Sequence, residues 1–248
     1  MKKILLLASV CMLTLPIMAD ATKFFQVGVD YFKGQNGRPQ DYQQAVHWYQ
    51  QAAELGHAHA QNNLGHCYKN GLGVEKNLEQ AAYWFLKSAE QGAVTGQYNI
   101  GICYYNGYGV EKDYTQAVLW LTKASEQGDV QAKSRLGVCY YYGQGVEKNY
   151  VTAVALMRDA ANAGIANAQH NLGLAYYMGK GVETNYTEAA KWYRLAAEQG
   201  HSKAQYDLGM CYYIGDGVNQ NKAEAIYWFQ KAAAQGHVQA KKRLAELN

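Results

Sequence analysis

The sequence predicts an all-α repeat solenoid of about six 36-residue helix-turn-helix units, followed by a C-terminal capping helix. Two observations support this prediction. Glycines recur at an interval of 36 residues, at Gly65, Gly101, Gly137, Gly173 and Gly209. The five tryptophans share a second register with the same period, in which Leu156 stands in once, and they are Trp48, Trp84, Trp120, Trp192 and Trp228. A fixed period in this range is typical of stacked units that bury an apolar face against their neighbours.

Each unit is expected to contain two helices. The first carries a Leu-Gly step and ends at a Gly-x-Gly-Val turn such as Gly71 to Val74, whose glycines supply the positive φ angles of a tight reversal. The second begins after an Asn or Asp, whose side-chain oxygen accepts from a free backbone N–H. The predicted N-caps are Asp41, Asn77, Asp113, Asn149, Asn185 and Asn221. The predicted C′ glycines are Gly56, Gly92, Gly128, Gly164, Gly200 and Gly236.

A small residue occupies one position of every second helix. It is alanine in all six units, at Ala45, Ala81, Ala117, Ala153, Ala189 and Ala225. Helix axes approach to ~8–10 Å where the side chains at the crossing are small. We therefore expect close packing at this position, with the nearby tryptophan filling the space beside the alanine.

The repeats account for residues 22–248. The predicted units are 24–57, 58–93, 94–129, 130–165, 166–201 and 202–237, with a cap at 238–248. The first unit is irregular, because its turn, Gly34-Gln35-Asn36-Gly37, has one residue more than the others. The last helix is expected to be polar on its outer face, since an end unit must face water.

The first residues have the pattern of a secretory signal. Lys2 and Lys3 precede an apolar run from Ile4 to Leu15, which is shorter than the ~20 residues of a membrane span. Cleavage after Ala19 or Ala21 fits this pattern. We predict a cleavable signal peptide over 1–21 and a bacterial protein exported to the periplasm or secreted, with no membrane span after signal removal. The alternative is a retained N-terminus that serves as an anchor.

Charge and cysteine content exclude several kinds of site. The net charge is +3 without a basic cluster, which argues against nucleic acid as a partner. Four cysteines share one repeat position: Cys67, Cys103, Cys139 and Cys211. Equivalent points on neighbouring helices lie ~8–10 Å apart, whereas a disulfide needs Cα atoms within ~4.4–6.8 Å. We therefore predict buried thiols without disulfides, no metal site and no cofactor.

The repeated residues resemble a known family. The pattern Leu-Gly-x-x-Tyr-x-x-Gly-x-Gly-Val, then Asn or Asp, Ala-x-x-Trp and Ala-Ala-Glu-x-Gly, is similar to the Sel-one-like repeat, a relative of the tetratricopeptide repeat. The resemblance implies a right-handed α/α superhelical solenoid whose first helices line a concave face. It also implies a scaffold or adaptor, which in bacteria is often exported for envelope assembly, secretion or host interaction. A cysteine-rich branch of the family, with paired cysteines, is associated with penicillin binding.

On this resemblance, four positions of the first helix face the groove: −3, +1, +4 and +5 relative to the glycine. The predicted partner-binding residues are Tyr98, Tyr105, Tyr141, Tyr142, His170, Tyr177, Met178, Tyr206 and Tyr213. Tyrosine is enriched in binding surfaces, because it is amphipathic and loses little entropy on binding. The +4 tyrosines have two interpretations that both remain open. They contact a ligand, or they pack between adjacent first helices.

Two functions follow as hypotheses. The first is an exported, non-enzymatic scaffold that binds a protein or peptide on its concave face. The sequence does not assign its oligomeric state. The alternative is a penicillin-binding or β-lactamase-like hydrolase, by analogy with the cysteine-rich branch. A hydrolase needs an activated nucleophile with a base in reach. The chain contains neither Ser-x-x-Lys nor Lys-Thr-Gly, so we assign no catalytic residue.

Overall fold

The computed structural model describes residues 19–247, and every regular element within them is an α-helix. The predicted all-α repeat solenoid is confirmed. The helices are α1 (19–33), α2 (Tyr42–Glu54), α3 (Ala58–Asn70), α4 (Leu78–Glu90), α5 (Val94–Asn106), α6 (Tyr114–Glu126), α7 (Val130–Tyr142), α8 (Tyr150–Asn162), α9 (Ala166–Met178), α10 (Tyr186–Glu198), α11 (Ser202–Ile214), α12 (Lys222–Ala234) and α13 (Val238–Leu247).

Consecutive helices pair into repeats, in which the odd-numbered helix is the first and the even-numbered helix the second. The residues divide into two compact units, one ending at Gln127 and one beginning at Gly128. We call them the N-terminal half (19–127) and the C-terminal half (128–247). The predicted signal peptide lies outside the described residues except for 19–21, which belong to α1. Within 19–247 no helix combines the length and apolarity that a membrane span requires.

The predicted ends of the second helices are confirmed. Each predicted Asn or Asp is the N-cap, and its side chain accepts a backbone N–H from the first turn, as when Asn185 accepts from Glu188. The glycine after each C-cap has a φ between 82° and 90°, which only glycine adopts without strain. The start and the stop of these helices are therefore written locally in the sequence.

The residue that packs beside the first-helix glycine is the one that follows the tryptophan position. A Cβ built on Gly173 would lie 2.7 Å from the Tyr193 ring, closer than real Cβ atoms approach. The same pairing joins Gly28 with Tyr49, Gly65 with Phe85, Gly101 with Leu121, Gly137 with Met157 and Gly209 with Phe229. These six side chains are fully buried and form the floor between the two helices of each repeat, so we call them floor residues.

The second glycine of the turn also has a packing role. A Cβ on Gly181 would overlap the carbonyl oxygen of Tyr150, the first residue of the preceding second helix. Gly73, Gly109 and Gly217 meet the carbonyl oxygens of Tyr42, Leu78 and Tyr186 in the same way. Each of these turns therefore rests directly on the backbone of the repeat before it.

Buried glutamines link successive second helices. Gln205 donates to the Ala197 carbonyl at the end of α10 (3.1 Å), and its own carbonyl accepts from Gln235 at the end of α12 (2.8 Å). Gln169 connects Ala161 and Gln199 in the same way, and Gln61 connects Ala53 and Gln91. These glutamine side chains are buried, so the hydrogen bonds avoid the cost of leaving a buried polar group unsatisfied.

One repeat replaces this amide pair with an ion pair. Lys133 occupies the glutamine position of α7, and Ala163 occupies the position of its partner after α8. Lys133 instead donates to Asp159 on α8 at 2.7 Å. The contact between the two helices is kept, but by opposite charges.

Candidate functional site

The −3 position of a first helix contacts the next first helix along the chain. In the C-terminal half, Nε2 of His170 on α9 lies 2.7 Å from a carboxylate oxygen of Asp207 on α11. In the N-terminal half, the Asn99 amide donates to the Asn62 side chain at 2.8 Å. The predicted face is therefore built by lateral contacts between consecutive first helices.

The histidines that follow the second-helix glycines form N-caps. Nδ1 of His57, His201 and His237 accepts the backbone N–H of Ala60, Ala204 and Ala240. Each ring stacks on the −3 side chain of a first helix, at 4.4 Å from Phe25, 4.8 Å from His170 and 4.7 Å from Tyr206. Their role is structural, as the turn position indicates, and they order the −3 residues.

We expect the capping by His201 to make stability depend on pH. Burial is the main reason that the pKa of His201 is lowered to about 4. The charges of His170 and Lys203 lower this pKa further, and the charge of Asp207 raises it. Because the folded pKa lies below the unfolded value of about 6.5, the unfolded chain binds the proton more tightly. This stability is complete above pH 6.5 and is lost as the pH falls towards 4.

The measurement is urea unfolding of wild type and His201→Asn at pH 7.5 and pH 5. Asparagine caps the helix without titrating in this range. The wild type should lose about 1–2 kcal/mol more than the variant between the two pH values, after discounting for partial exposure. Equal losses would assign the acid sensitivity to other groups.

The +4 tyrosines pack against other side chains but are only partly buried, so both interpretations, packing and ligand contact, stay open. The rings of Tyr141 and Tyr177 pack edge-on against Tyr150 and Tyr186, the first residues of the following second helices, with centroids 5.0 and 5.1 Å apart. The Tyr177 hydroxyl also donates to Asp216 at 2.8 Å, and this bond raises its pKa to about 12. Tyr105 packs on Tyr114 in the same way in the N-terminal half. Tyr105, Tyr141 and Tyr177 are thus half-buried, and each packs against the start of the following second helix.

The +5 residues are the most exposed part of the predicted face. Tyr142, Met178 and Ile214 are 58%, 54% and 50% exposed, and each is the last residue of its first helix. The Tyr141 hydroxyl contacts the Met178 sulfur at 3.7 Å, and the rings of Tyr141 and Tyr142 lie 5.0 Å apart. Tyr142, Met178 and Ile214 thus form an exposed apolar row at the ends of α7, α9 and α11.

Three of the predicted residues line one hollow of the C-terminal half. It has a volume of about 260 Å³ and lies between α9 and α11 above the floor residue Tyr193. Its lining residues are Leu174, Tyr177, Met178, Tyr193, Tyr206, Asp207, Met210 and Ile214. We call it the C-terminal hollow. Asp207 is its one charged lining residue, and this carboxylate and burial raise the pKa of Tyr193, burial having the larger effect.

The remaining predicted residues lie outside this hollow. His170 borders it through its bond to Asp207 and through its ring, whose centroid lies 5.8 Å from that of Tyr193. Tyr213 is on α11 and Tyr141 on α7, while Tyr98 and Tyr105 belong to α5 in the N-terminal half. The hollow also contains lining residues that were not singled out from the sequence: the floor tyrosine, Asp207 and three apolar residues of the +1 and +5 positions.

A larger cavity in the N-terminal half was not predicted. It has a volume of about 520 Å³ and lies between α1 and α3 above the floor residue Tyr49. Its lining residues are Phe25, Gln26, Val29, Phe32, Lys33, Tyr49, Asn63, His66 and Leu72. We call it the N-terminal cavity. A sequence signal exists for both sites, because Tyr49 and Tyr193 are the two tyrosines among the six floor residues.

The cysteines do not contribute a nucleophile to either site. All four are buried, as predicted, and are free thiols. Burial raises the pKa of Cys67, Cys103 and Cys139 to about 11 and that of Cys211 to about 12. Because the thiolate is the reactive form, these thiols are inert at neutral pH. Among the described residues, no three histidine, cysteine or acidic side chains are grouped as metal ligands would be.

Comparison with known proteins agrees with the repeat analysis. The profile of the family described as Sel1 repeat matches six segments of the chain: 25–57, 58–92, 94–129, 130–165, 166–201 and 202–237. No protein of curated function matches at a significant level.

Several solved structures are similar. The protective antigen c5321 of uropathogenic Escherichia coli, which displays an SLR fold, is 38% identical with a TM-score of 0.79 over 92% of this chain and 48% of that one. The chain thus spans about half the length of that antigen. A Sel1 repeat protein from Oxalobacter formigenes is 35% identical, with a TM-score of 0.80, over 89% of this chain and 86% of that one. The immunity protein Pa5087 of Pseudomonas aeruginosa shares the fold at 24% identity over 89% and 81% of the two chains, with a TM-score of 0.50.

Proposed function

We propose, since the chain belongs to the Sel1 repeat family, that it is an exported, non-enzymatic scaffold that binds a protein or peptide partner through its first helices. Sel1 repeats are in general a protein-interaction fold without catalysis. Membership of the family does not identify which surface of the protein binds the partner. The observation that carries the proposal is the exposed apolar row formed by Tyr142, Met178 and Ile214 beside the C-terminal hollow.

The size of the hollow favours a side chain as its occupant. Its volume of about 260 Å³ lies below the ~300–1,000 Å³ of typical small-molecule pockets. Methionine and aromatic residues dominate its wall, and such adaptable surfaces accept apolar anchors. Asp207 adds one negative charge. We therefore propose a partner segment that inserts one apolar side chain and carries a basic residue next to it.

Support for the rigidity of the face comes from its internal contacts. His170 is bonded to Asp207 and stacked on His201, and Tyr177 is bonded to Asp216. Side chains fixed before binding lose less entropy on association. The face is thus ordered in the free protein, which favours a partner that docks onto it.

Export is part of the same proposal and is supported by the N-terminal sequence pattern. The basic Lys2 and Lys3, the apolar run and the small residues at Ala19 and Ala21 all fit a secretory leader. In a bacterial host, the partner would then be a component of the envelope, the secretion apparatus or the host surface.

The test compares wild type with Met178→Gln/Ile214→Gln as bait on the native envelope fraction, followed by titration with each captured protein. Both side chains are exposed, so stability should stay within about 0.5 kcal/mol. Partner binding should weaken about 30-fold or more, because a hot-spot side chain contributes about 2 kcal/mol or more.

The matched control is Val151→Gln, which makes a similar change at an exposed position on α8. Its binding should equal that of wild type. If the double variant binds the partner as tightly as wild type, the row is not part of the interface. Mass spectrometry of the chain from its native source tests export, and an intact Met1 would contradict cleavage.

A further inference from the structure

The two sites above floor tyrosines share one architecture but differ in size. In both, a first helix and the next first helix form the walls, and the floor residue is Tyr49 or Tyr193. The N-terminal cavity has about twice the volume, 520 Å³ against 260 Å³. The larger value falls within the ~300–1,000 Å³ range of small-molecule sites. The N-terminal cavity therefore has room for a whole small molecule.

The two sites also differ in charge at equivalent positions. The −2 position of the later first helix is Asn63 in the cavity and Asp207 in the hollow. The +5 position of the earlier helix is Lys33 in the cavity and Met178 in the hollow. The cavity thus lacks the aspartate of the hollow and has the positively charged Lys33 instead. Lys33 is its one charged lining residue, and it is exposed, so its ammonium borders the side that faces solvent.

Other charges around the cavity leave it positive. The pKa of His66 is lowered, first by burial and then by Lys69 on the same helix, so the ring is neutral at pH 7 and sits beside a second cation. Asp30, a carboxylate of the same helix as Lys33, accepts from Gln26, Gln35 and Asn36 and forms an ion pair with Arg38 at 3.2 Å. It is therefore compensated within its own cluster.

The interior of the cavity is apolar. Phe25, Val29, Phe32 and Leu72 supply most of the wall. The hydroxyl of the floor residue Tyr49 is hydrogen-bonded by Asn63, and its pKa is raised to about 12 by burial. Both polar groups at the bottom are thus partnered with each other, and an apolar chain can lie over them without leaving a buried polar group unpaired.

From size, charge and apolar lining we infer that the N-terminal cavity binds a free carboxylic acid with a medium-length acyl chain. The chain occupies the space between α1 and α3, and the carboxylate pairs with the Lys33 ammonium at the mouth. This site is separate from the partner-binding row, which lies in the C-terminal half.

Calorimetric titration of the full chain with octanoate and with its neutral analogue 1-octanol tests the inference. Octanoate should bind about two- to fivefold more tightly, because an exposed ion pair contributes up to about 1 kcal/mol. Lys33→Met, which copies the residue at the equivalent position 178, should abolish that difference and leave 1-octanol binding unchanged. Lys23→Met, an exposed lysine of the same helix outside the lining, is the matched control and should behave as wild type.

NMR localises the ligand. Octanoate should shift the ring signals of His66, which lines the cavity, and leave those of His201 unchanged. Equal binding of octanoate and 1-octanol, or an unchanged His66 at saturation, would overturn the inference. Tighter binding of N-acetyl-leucyl-leucine than of octanoate would overturn it too, since the occupant would then be a polypeptide end. Partner binding by Lys33→Met should be intact, which separates this test from that of the proposed scaffold.

Discussion

Gly181→Ala is expected to lower the free energy of unfolding by about 2–5 kcal/mol. The residue has a φ of +75°, which costs an L-residue about 1–2 kcal/mol. The new methyl group would also overlap the Tyr150 carbonyl, so the backbone of two repeats must separate, at a further cost of about 1–3 kcal/mol. This is a large share of the ~5–15 kcal/mol that holds a typical domain together. Urea unfolding followed by circular dichroism measures the loss.

Gly200→Ala is the matched control for this substitution. Gly200 has a similar φ of +87°, but a methyl group added there would meet nothing within 4 Å beyond its chain neighbours. Its loss should be limited to the conformational cost of about 1–2 kcal/mol. If both variants lose the same amount, the contact between the turn and the preceding helix does not contribute to stability.

Tyr193→Ala is expected to destabilise the C-terminal half by about 3–5 kcal/mol, the range for removing a buried aromatic ring. The ring is 2% exposed and packs directly against the backbone at Gly173, where glycine has no side chain that could fill the space. Tyr193→Phe should cost less than about 1 kcal/mol, because Phe85 and Phe229 are floor residues in other repeats. Thermal and urea unfolding of both variants give the comparison.

Tyr227→Ala controls for the loss of an aromatic ring as such. Tyr227 lies in the same half on α12 and is largely exposed, with its ring against Trp228. We expect it to lose less than about 1 kcal/mol. A loss for Tyr193→Ala no greater than that for Tyr227→Ala would contradict the floor role.

The predictable part of the fold consists of positions at which the backbone restricts the choice of residue. Asn185 is fixed by the need for a side-chain acceptor at a helix start, and Gly200 by a positive φ. Each requirement is local, so it is written in the sequence in every copy. That is why helix ends and the number of repeats are read correctly from one chain.

The floor residues were missed because packing there selects for volume and apolarity rather than for one residue type. Tyr, Phe, Leu and Met all satisfy the position, as Tyr193, Phe229, Leu121 and Met157 show. The tryptophan register attracts attention because it is nearly constant, yet most of its members are only half-buried. Constancy in the pattern and depth in the core are thus different properties of this repeat.

The site was only partly predictable for a related reason. The face itself follows from the period, and Tyr177, Met178 and Tyr206 come together as neighbours in one hollow. The N-terminal cavity is instead the space left among side chains of three helices, and the floor tyrosine Tyr49 is the one repeat position that signals it. The half-buried +4 tyrosines show the same limit, since their environment depends on the residue after the next N-cap, as for Tyr177 and Tyr186.

The glutamine links bear on how such a chain can change its length. Gln61, Gln169 and Gln205 each take an acceptor from the main chain of the preceding repeat, as Gln205 does from Ala197. A main-chain carbonyl is present whatever residue stands there, and the second amide partner lies within the same repeat as the glutamine. A copied repeat therefore carries with it the side chains that its own junction requires. At this contact, gain or loss of whole repeats by gene duplication or deletion then needs no compensating change in the neighbour, which provides a physical route to relatives of very different length.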